Sequence, residues 1–342
     1  MTYERIVIPK IGGPEVLVVE GFEPSPLREG EVAIDVSAVG LNFADVFCRL
    51  GLYKAAPPFP FIPGFEVSGV IAETGRGVTS LAVGDRVLAT TRFGGYTTRL
   101  HIGAELVRHL PEGWSFEDGA AFPVVYLTAY YGLVTVGRLG AGETVVVQSA
   151  AGGVGTAACQ IARALGARVI GTVGSEAKRK VALEAGAEQV LVSHSYDVWD
   201  EIAGLTDGKL DVVFDAVGGS GLRRGFNMLR AGGRLIAYGF AEMMPKGGRR
   251  NWPLLAWRYL RTPRFSPIDM TGSNRSVAGF NLVHLWDRME LFESVIGDLL
   301  AMVGRGEIRP FVGATYPFHQ AGAAQAFLQS RKSTGKVILT CE

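Results

Sequence analysis

One turn limits what this chain can fold into more than any other stretch: Val147-Gln-Ser-Ala-Ala-Gly-Gly-Val-Gly-Thr156. It follows the strand-like run Thr144-Val-Val-Val-Gln148 and opens an Ala-rich helical pattern over residues 156–165. Gly152 and Gly155 fall three apart, with Ala150 where a dinucleotide-binding fingerprint has its first glycine. Small residues let the backbone approach a pyrophosphate, which sits at the positive end of the following helix. A glycine pattern alone is weak evidence, but here the strand before it and the helix after it supply the required context. Ala151, Gly152, Gly153 and Val154 are the residues of this turn expected to touch the cofactor.

The turn sits in a regular alternation. Beyond it come Arg168-Val-Ile-Gly-Thr172, Gln189-Val-Leu-Val192, Asp211-Val-Val-Phe-Asp215, Arg234-Leu-Ile-Ala-Tyr238 and Ser276-Val-Ala-Gly-Phe280, separated by helical patterns. That order predicts a parallel sheet with helices on both faces, a doubly wound α/β domain. Before residue 123 the texture differs. Alternating runs such as Glu31-Val-Ala-Ile-Asp-Val-Ser37 and Asp85-Arg-Val-Leu-Ala89 are split by Gly and Pro turns, as in a β-rich, barrel-like domain. A chain of 342 residues fits two such domains. No internal repeat or low-complexity segment interrupts them.

Composition narrows the partners. Lys+Arg of 34 against Asp+Glu of 33 gives a net charge of +1, which gives no footing for a nucleic-acid partner. Cys48, Cys159 and Cys341 are odd in number and far apart, as expected of a reducing compartment rather than a disulfide framework. The start MTYERIVIPK lacks an apolar signal region, and no apolar run reaches about 18 residues, so a cytoplasmic protein is expected.

The end of the second strand bears on cofactor choice. An NAD site normally places Asp or Glu about 20 residues past the glycines, to bind the ribose hydroxyls. Here Thr172-Val-Gly-Ser-Glu-Ala-Lys-Arg179 offers Gly174 and Ser175, then Lys178 and Arg179. A hydroxyl and cations in that place suit a 2′-phosphate and favour NADPH, with Ser193 or His194 as further partners. Glu176 runs against this reading, although glutamate in a first helical turn also follows from the helix dipole.

Two features raise a metal question. In Ile62-Pro-Gly-Phe-Glu-Val-Ser-Gly69 the carboxylate Glu66 lies in an apolar run, where an unpaired charge costs several kcal/mol in rough terms. It is a metal ligand, a base or a strut. His101, Glu105 and His109 have a helical spacing of four, but Gly103 and the strand-like residues before it argue against a helix, and surface histidines are expected.

Gly40-Leu-Asn-Phe-Ala-Asp45, Arg49-Leu-Gly-Leu-Tyr53, Pro63-Gly-Phe-Glu-Val-Ser-Gly69, Gly84-Asp-Arg86 and Ala150-Ala-Gly-Gly-Val-Gly155 together resemble the medium-chain dehydrogenase/reductase superfamily. Within it the chain is similar to quinone oxidoreductases, and closer to the vesicle amine transport protein homologues through Ser276-Val-Ala-Gly-Phe280 and Gly335-Lys-Val-Ile338. The resemblance implies a GroES-like catalytic domain from residues 1–123 and 282–342 around a Rossmann domain at 124–281. It also implies a homodimer joined through sheet edges, here near Val277.

Zinc members of that superfamily have Gly-His-Glu where this chain has Gly64-Phe65-Glu66. Their cysteine ligand aligns with Asn42 and their third ligand falls near Val124. A phenyl ring, an amide and an isopropyl group cannot hold zinc. No cysteine lies between residues 49 and 158, so the structural zinc lobe is missing as well. Glu66 then reads as a strut paired with a cation. Chemistry without a metal suits an acceptor that is already electron-poor, a quinone or conjugated carbonyl, whose oxygen needs only hydrogen-bond donors. Asn42 and Tyr53 can supply these, against readings as a turn Asn and a packed Tyr. Phe47 replaces a polar aromatic of some relatives. The resemblance adds Thr128, Gly239, Phe240, Phe280 and Lys336 along the cofactor's path.

Residues 241–275 depart from the plainer quinone oxidoreductases. Lys246-Gly-Gly-Arg-Arg-Asn-Trp-Pro-Leu-Leu-Ala-Trp-Arg-Tyr-Leu-Arg261 interleaves Trp252, Trp257 and Tyr259 with arginines. A long basic aromatic loop suits a substrate channel, a dimer interface or anionic lipid. Three functions stay open: a quinone reductase, an NADPH-dependent enoyl reductase, and a non-catalytic NADPH-binding protein associated with lipid.

Overall fold

The structure is a computed structural model that describes residues 2–193, 198–245 and 252–341. His194 and the Lys246-to-Asn251 start of the basic segment lie outside the described residues. The chain divides into two compact units, one of Met1–Val124 with Pro310–Glu342, the other of Val125–Pro245 with Arg250–Arg309.

The first unit begins with the hairpin β1 (Tyr3–Val7) and β2 (Val18–Phe22), then β3 (Glu31–Leu41), α1 (Phe43–Arg49), β4 (Glu66–Thr74), β5 (Arg86–Thr90), β6 (Arg99–Gly103), β7 (Val107–His109) and α2 (Phe116–Ala120). β3 holds the unit together because its apolar side chains are buried along nearly its whole length. It pairs antiparallel with β4 on one side, and with β6 along its first half. The region around His101, Glu105 and His109 is β6, a short 3-10 turn and β7, so the three side chains do not share a helix face. Among the described residues no three His, Cys, Asp or Glu side chains gather as a metal site.

The second unit follows through α3 (Pro123–Tyr130), β8 (Thr144–Val147), α4 (Gly153–Ala164), β9 (Arg168–Val173), α5 (Arg179–Glu184), β10 (Gln189–Val192), α6 (Val198–Thr206), β11 (Leu210–Asp215), α7 (Gly221–Asn227), β12 (Leu229–Ala237), α8 (Trp252–Arg261), α9 (Pro267–Ser273), β13 (Ser276–Gly279) and α10 (Met289–Gly304). All six strands expected from the sequence are present and run parallel in the order β10-β9-β8-β11-β12-β13. Continuous apolar runs such as Val145, Val146 and Val147 form the middle of this sheet because helices cover both faces. The order reverses direction between β8 and β11, and ligands of such sheets bind beyond the strand ends at that point.

The chain then returns to the first unit with β14 (Val312–Pro317), α11 (Ala321–Gln329) and β15 (Lys336–Thr340), which pairs antiparallel with β3. The expected boundary at residue 282 therefore differs from the observed one. Residues 282–309 stay with the second unit because Tyr130 donates to Asp298 Oδ2 at 2.7 Å. The Arg309 N–H also donates to Gln160 Oε1 at 2.7 Å, and the Arg309 carbonyl accepts from Tyr126 at 2.6 Å. Within residues 241–275, read from sequence as a long loop, the described part folds largely as α8 and α9. α8 leaves Trp257, Tyr259 and Leu260 exposed, with the Arg261 guanidinium over the Trp257 ring. No described helix is long and apolar enough to cross a membrane.

Candidate functional site

In the second unit, β8 ends on a buried valine and the chain turns at Ser149, which takes a left-handed φ of 56°. The Ala150 N–H donates to the Thr172 carbonyl at 2.9 Å and so ties the turn to β9. α4 then starts after Gly152. A Cβ on Gly155 would stand 2.1 Å from the Ser149 carbonyl oxygen, so only glycine lets the helix sit this close to the turn. At Gly152 the nearest atom to an added Cβ is 3.4 Å away, which leaves the mouth of the turn open. Ala150 can replace the first fingerprint glycine because its methyl lies over Gly171 of β9, where a second methyl would come within 2.8 Å. Ala151, Gly152, Gly153 and Val154 thus lie at a helix N-terminus shaped for an anion, and the backbone fits a dinucleotide's pyrophosphate.

Beside that turn, β9 and β10 run in register to Val173 and Val192, and the Ser193 N–H donates to the Val173 carbonyl at 2.8 Å. This brings Gly174, Ser175 and Ser193 together at the strand ends. Gly174 is exposed with nothing near an added Cβ. Lys178 is half-buried in the following turn, and its burial lowers the ammonium pKa. Arg179 is placed differently from expectation. Its Nε and Nη2 donate to the two Glu176 oxygens at 2.6 and 3.0 Å, and Nη1 donates to the Val190 carbonyl. Glu176, the residue that argued against a phosphate site, is thereby neutralised by its own neighbour.

Farther along the sheet, Gly239 and Phe240 follow β12, with Phe240 46% exposed. Phe280 follows β13 and packs into an aromatic row, 5.1 Å from the Tyr131 ring and 6.3 Å from the Tyr238 ring. Phe280 is half-buried there. Thr128 is half-buried on α3.

In the first unit the polar cluster centres on Glu66, which is fully buried at the start of β4. The Lys336 ammonium, 3% exposed, lies 2.5 Å from Glu66 Oε1. Asn42 Nδ2 donates to the same oxygen at 2.9 Å, and the Val124 N–H donates to Oε2 at 2.7 Å. Lys336 also donates to Asn42 Oδ1 at 2.6 Å. Glu66 is therefore a paired strut, and it ties Asn42 and Val124 to the lysine. Phe65 turns into an apolar cluster with Ile8, Cys48 and Phe61, against which Tyr53 and Phe93 pack. Gly40 is required across from it, because a Cβ there would meet the Ala120 carbonyl at 2.2 Å and the Glu66 side chain at 2.7 Å.

Sequence reasoning missed the buried polar network that continues from this cluster. Asp45, fully buried on α1, accepts from the Asn42 N–H at 2.7 Å and the Gly64 N–H at 3.1 Å. Burial raises its carboxyl to about 7. Arg49, one turn on and equally buried, donates to Gln325 at 2.7 Å, Gln329 at 2.8 Å and the Gly12 carbonyl at 3.0 Å. The available signal was charged residues in an otherwise apolar helix, Asp45 and Arg49 in Phe43–Arg49.

Comparison with known proteins agrees with this architecture. The family model described as an alcohol dehydrogenase GroES-like domain matches residues 28–129, and that described as a zinc-binding dehydrogenase matches residues 153–291. A synaptic vesicle membrane protein VAT-1 homolog of Danio rerio is 35% identical over 342 residues, which covers 100% of this chain and 70% of that protein. Among solved structures, the Escherichia coli quinone oxidoreductase complexed with NADPH superposes with a TM-score of 0.85 at 31% identity, covering 98% of this chain and 99% of that one. The CurK enoyl reductase superposes with a TM-score of 0.84 at 26% identity, covering 99% of each chain.

Proposed function

Because the chain belongs to the medium-chain dehydrogenase/reductase superfamily, we propose that it is an NADPH-dependent, zinc-independent oxidoreductase acting on a quinone or similar conjugated carbonyl. The observation that carries the proposal is the open glycine turn beside the Gly174, Ser175 and Ser193 strand ends, with Glu176 neutralised by Arg179. The bound cofactor would supply the hydride. Ala151, Gly152, Gly153 and Val154 would hold its pyrophosphate, and Ser175, Lys178 and Ser193 its 2′-phosphate, with Gly239, Phe240 and Thr128 along its length. Arg179 would restrain Glu176 and leave the phosphate to Lys178.

The side chains at the zinc-ligand positions support chemistry without a metal. Asn42 is spent on Glu66 and Lys336, and Phe65 is packed among aromatic rings. Asn42 and Lys336 would act as one rigid polar unit toward cofactor and substrate, and Tyr53 would donate its phenol to the acceptor oxygen. The free edge of the parallel sheet at β13 supports a homodimer.

The likeness to an enoyl reductase supports a second acceptor class, an α,β-unsaturated carbonyl or thioester, with the same hydride donor. A panel of quinones, enones, enals and enoyl thioesters, each followed by NADPH oxidation, separates the readings. Turnover with quinones alone supports the first, and turnover with thioesters alone replaces it with the second. No turnover with any acceptor leaves a binding protein.

A further inference from the structure

At the reversal point of the parallel sheet, each of the two flanking strands ends on a buried polar side chain. Gln148 directly follows β8 and is 7% exposed, and Asp215 closes β11 at 0%. Gln148 Nε2 donates to Asp215 Oδ2 across the strand boundary. The other oxygen, Oδ1, accepts the N–H groups of Val217 and Gly218, both at 2.7 Å. Burial raises the Asp215 carboxyl to about 6, against the pull of these three donors, which favour the carboxylate.

The turn that Asp215 holds is fused to a second one. Ala241 and Glu242 donate their N–H groups to the carbonyls of Ala216 and Val217 at 3.0 and 2.9 Å, and Tyr238 donates to the Asp215 carbonyl at 3.0 Å. No side chain fits between the turns: a Cβ on Gly218 would stand 2.9 Å from the Phe240 ring, and one on Gly239 would stand 2.9 Å from the Ala216 oxygen. Both turns lie beyond the strand ends on the β11–β12 side, opposite the β9 end that carries Ser175 and Lys178. A doubly wound sheet binds one mononucleotide half on each side of its reversal point.

We propose that Asp215, braced by Gln148, is a positioning residue for the nicotinamide half of the dinucleotide, fixing residues 216–219 and 239–242 as one surface. The inference rests on the NADPH reading above. Asp215 touches no cofactor atom in this role and acts through the two turns. Its loss frees the Val217 and Gly218 N–H groups and lets both turns relax, while the adenosine side keeps its shape.

Calorimetric titration with whole NADPH and with adenosine 2′,5′-bisphosphate, which fills only the adenosine side, tests this. Asp215→Ala is expected to weaken NADPH at least tenfold and to change the bisphosphate less than twofold. Asp215→Asn is expected to stay within threefold of wild type for both ligands. Its amide oxygen can accept the two backbone N–H groups, and a rotated Gln148 can accept from its NH2. If Asp215→Ala fails to fold, Gln148→Ala decides, with a selective loss for NADPH of roughly threefold expected. Equal losses for the two ligands, or no loss for either, overturn the inference while leaving the cofactor reading intact. A wild type that binds neither ligand overturns the cofactor reading, and this inference with it.

Discussion

Lys336 and Glu66 form an ion pair 2.5 Å long with both side chains removed from solvent, one from the start of β15 and the other from the start of β4. Coulomb attraction in such a place is offset by the loss of hydration of both ions, so the pair is held by its extra partners, Asn42 and the Val124 N–H. Removing one member is therefore worse than removing both. Lys336→Met should destabilise the protein by about 3 to 5 kcal/mol, and Lys336→Met with Glu66→Gln by clearly less. Urea denaturation of the single and double variants measures this, and additive losses would contradict it.

Asn42 and Tyr53 should behave differently when changed. Asn42→Ala leaves buried groups on Glu66 and Lys336 short of a partner, so it should cost about 2 to 4 kcal/mol of stability as well as turnover. Tyr53→Phe keeps the ring against Phe65 and should cost less than about 1.5 kcal/mol, while quinone turnover falls by about 10- to 100-fold. Steady-state rates beside thermal melts distinguish the two. Unchanged turnover in Tyr53→Phe would make Tyr53 a packing residue only.

The Asp45 carboxyl is raised to about 7 by burial, against about 3.9 in an unfolded chain. Lys336 and the Asn42 and Gly64 N–H groups pull it down, and Glu66 pushes it up. Because the folded state binds the proton more tightly, the associated stability is fully present below about pH 4 and is lost as pH rises through about 7. Its upper size is about 4 kcal/mol. Denaturation of wild type and Asp45→Asn from pH 5 to pH 8 should show the wild type losing stability relative to the variant. Parallel curves would contradict the shift.

Ala150 and Gly171 share one space. Gly171→Ala should cost about 1 to 3 kcal/mol by overpacking. Adding Ala150→Gly should restore most of it, because the methyl merely changes strands. A double variant no more stable than Gly171→Ala would refute the exchange.

Much of this was legible in sequence because the signals were local. Strand-helix alternation marked each parallel strand, and the spacing of Gly152 and Gly155 identified the turn, since both rest on neighbours in the chain. The cation for Glu66 was not legible, because Lys336 reaches it only through the pairing of β15 with β3. Asp215 looked like the end of a strand, and only the sheet order sets it beside Gln148. Arg179 read as a phosphate ligand because its bond to Glu176 depends on a side-chain conformation. Residues 252–273 read as loop because arginines and aromatics obscure the apolar face of α8.

Cofactor choice is the central claim, and it rests on Ser175 and Lys178 at the end of β9. Charge-assisted bonds to a phosphate contribute roughly 1.5 to 3 kcal/mol each. Lys178→Ala should therefore weaken NADPH by about 10- to 150-fold and leave NADH nearly unchanged, and Ser175→Asp should weaken NADPH further by adding repulsion. The most direct measurement is calorimetric titration of the wild-type protein with NADPH and with NADH. The account predicts NADPH bound at least about tenfold more tightly, as a single such bond requires. NADH bound as tightly as NADPH would contradict it.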